Sequence, residues 1–271
     1  MSLFEKIIFA LQTNSPSPTN YGTFHLVSIG LCILVTALLC IFARDVSDRN
    51  FRIIIGVCWG LMVGFEIYKQ LIFSFNGETG EWSYQWYAFP YQLCSTPLYL
   101  LPLVAFMKDG KIRNGVMTFI TTFAFFGGLC VMVFPNDVFA SPYLGIHIQT
   151  MVHHALQLVT GIYVAVHSRK KFDKRNFITA TIVFAIALVL AMVLNIIMHF
   201  VVPDHSFNMF YISPYFECHL PILNIIDKAV PYPVFFVIYT LGFVLCAILM
   251  LTLIMGGIKG CTALSKKLKK D

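Results

Sequence analysis

Charge is what this chain has least of. Asp, Glu, Lys and Arg make up 12% of its 271 residues, against 58% hydrophobic and 15% aromatic residues, where a soluble globular domain carries about 25% charged residues. That balance excludes an ordinary soluble domain and leaves a polytopic membrane protein. Other absences narrow the class. The eight cysteines show no CxxC or comparable ligand spacing, so most of them read as small hydrophobes rather than metal or redox motifs. There is no Gly-rich phosphate loop, internal repeat, heptad run or low-complexity tract, and hence no motif for a soluble cofactor. The first thirteen residues place Glu5 and Lys6 inside a short amphipathic pattern instead of the apolar core of a signal peptide. A short helix lying in the membrane interface is expected there.

What is present is long hydrophobic runs. A bilayer core about 30 Å thick needs about 20 apolar residues per spanning helix. Seven such segments are read, over about 22–43, 51–75, 88–107, 112–134, 143–167, 176–201 and 231–256. Six is the alternative count, because Pro90, Pro97 and Pro102 weaken the third segment. The expected fold is therefore all-α, a polytopic transmembrane helix bundle forming a single domain over residues 1–271. Residues 1–20 supply the interfacial segment and a linker with two prolines, and residues 260–271 a basic tail, frayed from Leu264 onward.

Basic residues sort by connection. Arg44, Arg49 and Arg52, then Lys108, Lys111 and Arg113, then Arg169, Lys170, Lys171, Lys174 and Arg175 fill the odd-numbered connections, and the tail adds Lys259, Lys266, Lys267, Lys269 and Lys270. The even-numbered connections hold Lys228 alone. By the positive-inside rule the N-terminus is expected outside and the C-terminus in the cytoplasm. The net charge of +6 then reflects topology and contact with anionic headgroups, not nucleic acid. Gly56, Gly60 and Gly64 recur every four residues in the second segment, a stripe expected to mark a close helix contact.

Against this background the intramembrane polar residues stand out. An ionisable group at the bilayer centre costs at least about 2.5–3.5 kcal/mol, so such residues face protein or a cavity. Given the expected orientation, Glu66, Lys69, Gln92, Cys94, His147, His153, His154 and Asn195 all fall in the outer half, with His25 at the top of the first segment. In the fifth segment His147, Thr150, His154, Gln157 and Gly161 fall on one helical face. Interhelical hydrogen bonding is the structural alternative for this stripe, and a structural ion pair is the alternative for Glu66 and Lys69 at i,i+3. Cys94 differs from the other cysteines in having the amide of Gln92 two residues before it, a helix-start environment around Pro90, and a histidine-bearing helix at the same predicted depth. A thiol there becomes a nucleophile if an imidazole or a helix N-terminus lowers its pKa. A bridge from Cys94 to Cys218 would remove that possibility. His205, Glu217 and His219 in the long outer connection read as solvated residues or as a lid.

The stretch GFEIYKQLIFSFNGETGEWSYQWYAFPYQLC, ending at Cys94, resembles the motif region of the YwaF-like bacterial integral membrane family. FPND around Pro135, HHAL at His154, and Asn195 followed by an aromatic-rich connection containing Asn208 agree with it. Gln92 stands where that family often has a histidine. The family is similar to eukaryotic membrane proteins that move acyl chains, among them a Cys/His ether-phospholipid acyltransferase and Thr/His lipid hydrolases. The resemblance implies a bacterial cytoplasmic membrane protein in which Cys94 is nucleophile and His154 base, acting on phospholipid or lysolipid acyl esters as an acyltransferase, transacylase or hydrolase. Glu66 or His147 would orient the imidazole, with Gln92 or Asn195 as oxyanion donors and His153 as a supporting polar group.

Other classes remain open at this point. A transporter or a non-catalytic scaffold would also bury polar groups, though a transporter is expected to show polar residues along a whole path and often inverted repeats. A zinc-dependent lipid amidase would need ligands from several helices, since His147 and His154 lie about 10.5 Å apart along a helix axis. A light-sensing bundle lacks its Schiff-base lysine in the last segment. No metal or other cofactor is expected for the acyl-transfer reading.

Overall fold

The computed structural model describes residues 1–135, 137–169, 174–202 and 206–267. Among them it is helical, with two isolated bridges, Asn14 to Tyr143 and Phe75 to Trp82, and no strands. Asn136 of the FPND element, Lys170, Lys171, His205, Lys269 and Lys270 lie outside the described residues. The helices are α1 (Leu3–Leu11), α2 (Thr23–Phe42), α3 (Asp48–Ser74), α4 (Pro97–Phe106), α5 (Lys111–Phe119), α6 (Phe125–Val133), α7 (Leu144–His167), α8 (Lys174–Val201), α9 (Leu223–Ala229) and α10 (Tyr232–Lys267).

Five helical stretches among the described residues are long and apolar enough to cross a membrane: Thr23–Phe42, Asp48–Ser74, Lys111–Val133, Arg175–Val201 and Tyr232–Cys261. Their outward faces carry Leu31 and Ile33 on α2, Ile182 and Ile186 on α8, and Leu241 and Leu245 on α10, all exposed. Apolar surface this extensive faces lipid in an integral membrane protein. α7 has comparable length at 24 residues but carries the polar stripe. It lies in the middle of the bundle, with His147, Gln157, Thr160, Tyr163 and Val164 fully enclosed, as a helix with inward-facing groups on several sides must.

The third segment departs from the continuous helix expected over 88–107. Trp86–Ala88 and Leu93–Ser95 are single 3-10 turns, and only Pro97–Phe106 is α-helical. Pro97 sits at the helix start, where its missing N–H costs nothing. The segment nevertheless runs the length of α3. Gln70 donates to the Ala88 carbonyl at one end, Trp59 Nε1 to the Leu98 carbonyl midway, and Arg52 to the Ala105 carbonyl near the other end. These side chains satisfy backbone that cannot satisfy itself, the condition for irregular chain at membrane depth.

Two further expectations need correction. A Cβ placed on Gly56, Gly60 or Gly64 would meet nothing within 4 Å, so the glycine stripe marks no close contact in this fold. α3 packs instead through Phe51, Ile55, Cys58 and Met62, which are buried on another face. Helix α10 continues through Lys267, so the described part of the tail is helical where fraying was expected from Leu264.

The two ends of the bundle differ. At one end Arg113 is almost wholly buried and donates to Asp48, to Asp109 and, at 2.8 Å, to the Val104 carbonyl, with Phe51 beneath its guanidinium. Arg169 pairs there with Asp45. At the other end α1, capped by Ser2 and Glu5 as a reciprocal box, docks on α3 through Gln12, whose amide donates to the carbonyls of Ile72 and Phe75. Residues Leu3, Phe4, Ile7 and Phe9 of α1 stay exposed, as expected of an interfacial helix.

Candidate functional site

A cavity of about 1540 Å³ lies at the α1 end, walled by α3, the irregular third segment, α6, α7 and α10. Of the residues singled out by sequence, Glu66, Lys69, Gln92, Cys94, His153 and His154 line it; His147 and Asn195 do not.

Helix α3 supplies the charged pair. Lys69 Nζ lies 2.8 Å from Glu66 Oε1, which also accepts from Gln70 at 2.6 Å. The second carboxylate oxygen, Glu66 Oε2, is buried without a partner. Cys94 sits in the Leu93–Ser95 turn, just before α4, with the α6 backbone close by: a Cβ on Gly127 would lie 3.7 Å from the Cys94 amide nitrogen. Cys94 and Cys218 are both free, so the bridge that would occupy the thiol is not formed.

Helix α7 brings the two imidazoles. His153 Nε2 is 3.0 Å from the Cys94 carbonyl oxygen, and His154 Nδ1 is 2.7 Å from the Thr150 carbonyl oxygen one turn earlier. A carbonyl only accepts, so each of these ring nitrogens carries the hydrogen. The other nitrogens, His153 Nδ1 and His154 Nε2, are then bare acceptors, and both are buried without a partner. The rings meet edge to face with centroids 5.3 Å apart. The cavity thus holds three orphaned acceptors and one lysine beside a thiol-bearing turn.

The supporting roles are distributed differently from the sequence expectation. The Thr150 carbonyl, not Glu66 or His147, fixes the His154 tautomer. His147 Nε2 bonds the Ser141 carbonyl at 2.7 Å and packs against Phe24 and Phe139. Gln92 and Asn195 are both engaged with backbone, and Asn195 lies outside the cavity. The Gln92 amide donates to the Asn208 carbonyl at 2.8 Å and accepts from the Phe210 N–H at 2.7 Å, while Asn195 bonds both the N–H and the carbonyl of Met209. Together they clamp a buried turn in which Phe210 and Tyr211 hold φ values of 58° and 56°, strained for bulky side chains. Tyr239 completes the clamp from α10 through the Phe210 carbonyl. His25 is fully bonded, accepting from the Tyr21 N–H and donating to the Met132 carbonyl. His219 lines the cavity rim, while Glu217 pairs with Lys228 outside it.

Sequence reasoning missed this inserted turn, because Met209, Phe210 and Ile212 carry no polar signature and are ordered by groups on three separate elements. It also missed the burial of Arg113, which was counted only as a loop charge. Among the described residues no group of three or more His, Cys, Asp or Glu is placed to hold a metal ion.

Residues 20–253 match the family model described as TMEM164 family. The chain belongs to the TMEM164 family. The matched span contains every cavity residue from Glu66 to Cys246 and excludes α1, which only borders the cavity. No curated protein and no solved structure matches the chain.

Proposed function

We propose that this member of the family transfers or hydrolyses phospholipid acyl chains through a Cys94 thioester, with His154 as base. The observation that carries the reading is the bare, buried Nε2 of His154 in the same cavity as Cys94, its tautomer held by the Thr150 carbonyl. An imidazole so oriented accepts a proton at one defined atom.

In the first half-reaction His154 Nε2 takes the Cys94 thiol proton and the sulfur attacks the ester carbonyl of a phospholipid. The tetrahedral intermediate collapses to an acyl thioester, the ester C–O bond breaks, and the lysolipid oxygen leaves with the proton from the imidazolium. In the second, His154 removes a proton from a lipid hydroxyl or from water, that oxygen attacks the thioester, and the thiolate recovers the proton. His153, bonded to the Cys94 carbonyl, holds the turn in place. The resemblance to the bacterial YwaF-like proteins supports a bacterial cytoplasmic membrane as the setting. The sorting of basic residues supports a cavity facing outward and an Arg113 end facing the cytoplasm.

The test is transfer of a labelled acyl chain from a diacyl phospholipid to a lysophospholipid in vesicles containing the purified chain. Removing a nucleophile or its base should lower turnover by at least about 10³-fold, so Cys94→Ala and His154→Ala should each abolish label in the acceptor and in free fatty acid. Unchanged transfer in Cys94→Ala would overturn the proposal.

A further inference from the structure

The cavity contains one feature that the thioester chemistry does not use. Among the described residues Lys69 is its sole lysine or arginine, and the other charged groups on its walls are Glu66, Glu78 and Glu81. A lysine ammonium carries three donors; Glu66 Oε1 takes one, at 2.8 Å. Glu66 is itself 7% exposed and further held by Gln70, so the pair is a fixed element of α3. The ammonium lies in the cavity with donors to spare.

The opposite side of the same cavity is apolar. Its wall there is made by Phe126 and Cys130 on α6 and by Gly242, Phe243 and Cys246 on α10. These two helices border lipid: Cys130 is exposed, as are Leu241 and Leu245 beside the α10 residues. A Cβ on Gly242 would meet nothing within 4 Å, so the cavity is unfilled beside it, next to the edge-to-face contact of Phe126 and Phe243 that joins α6 to α10. The cavity therefore joins a fixed cation to an apolar wall built by two helices that border lipid.

We propose that Lys69, held by Glu66, anchors the phosphate of a bound phospholipid or lysophospholipid, and that its acyl chain lies along the apolar α6–α10 wall beside Gly242. This rests on the phospholipid reading above and adds the pose. The glycerol backbone of a lipid held in this way lies between Lys69 and the Cys94 turn. The spare donors suit phosphate oxygens, for which lysine serves as a point charge.

The test measures binding, with probes that lack a carboxylic acyl ester and so cannot acylate the thiol. Hexadecylphosphocholine carries phosphate and chain, hexadecylglycerol the chain alone, and glycerophosphocholine the head group alone. Competition of each against a fluorescent alkylphosphocholine is measured on the full chain in maltoside micelles. A charge-assisted phosphate contact should favour hexadecylphosphocholine over hexadecylglycerol by about tenfold or more. Lys69→Met should bring the two to parity, and Lys69→Arg should keep the preference, which separates loss of the anchor from loss of the fold. Gly242→Trp should weaken both long-chain probes and leave the preference between them intact. An undiminished preference in Lys69→Met, or unchanged long-chain binding in Gly242→Trp, would overturn the proposal. Glycerophosphocholine or inorganic phosphate competing as well as hexadecylphosphocholine would also overturn it, by showing a site for free phosphate. Because the probes do not react, a negative result here leaves the thioester reading standing, and failure of thioester formation leaves this binding result standing.

Discussion

His153 reaches across from α7 to the main chain of Cys94, its Nε2 lying 3.0 Å from the Cys94 carbonyl oxygen. The bond joins the central helix to the irregular third segment. The neighbouring residue on α7, His154, lines the same cavity and keeps its Nε2 buried without a partner. In the proposed mechanism one imidazole positions the turn and the other takes the proton.

The two histidines should therefore separate in kinetics. His154→Gln is expected to abolish acyl transfer. His153→Asn, whose amide can still donate to the Cys94 carbonyl, is expected to retain most of the activity lost in His153→Ala. Steady-state transfer rates with matched thermal unfolding of each variant check this; equal losses in His153→Asn and His153→Ala would contradict a positioning role.

Gln92→Ala and Asn195→Ala should destabilise the protein by about 1–3 kcal/mol each, the cost of leaving buried polar groups of the Asn208–Phe210 turn unsatisfied. Both clamp the same strained turn, so the double variant should lose less than the sum of the two. Thermal or denaturant unfolding in detergent measures this, and strict additivity would show that the two amides act independently.

At the opposite end, Arg113→Met should cost about 3–5 kcal/mol, or somewhat less because Asp48 and Asp109 retain access to solvent. Acyl transfer per folded molecule should be unchanged, since the cavity lies at the other end of the bundle. A stability change below about 1 kcal/mol would place the pair among ordinary surface contacts.

Asp45 accepts from Arg169, and this hydrogen bond leads the effects that hold its carboxyl below its ordinary value. A depressed carboxyl favours the folded contact while ionised, so the contribution is present above the ordinary carboxylate pKa and disappears as pH falls through the folded value. Arg169→Gln should move the Asp45 titration upward, measured by carboxyl NMR shifts. No movement would show that the contact does not persist in solution.

How much of this was legible in the sequence depends on what each element needs from its neighbours. Helices α2, α3, α8 and α10 follow from long apolar runs, because a helix in lipid satisfies its own backbone. The polar stripe on α7 correctly marked a buried face, since His147, His154 and Gln157 had to find partners away from lipid. The third segment was legible only as a weakness: prolines predict interruption, but not that Gln70, Trp59 and Arg52 would make good the freed carbonyls. The cavity residues Glu66 and His154 were found because each is costly in hydrocarbon, and Cys94 because of its proline-rich setting at the depth of the histidines. The roles of Gln92 and Asn195 were not, because an amide in a membrane segment looks the same whether it faces a ligand or clamps a turn 14 or 116 residues away in the chain, and only the folded backbone tells the two apart. The glycine stripe misled for the same reason: small residues permit a close approach without requiring one.

The central claim is a thioester on Cys94, and intact-protein mass spectrometry tests it most directly. The purified wild type, Cys94→Ala and His154→Ala are incubated with diacyl phospholipid and quenched within the first turnovers. An added acyl mass on the wild type, released by hydroxylamine and missing from both variants, is the predicted result. Wild-type protein of unmodified mass at every quench time, with donor lipid being consumed at the same rate by Cys94→Ala, would contradict the account.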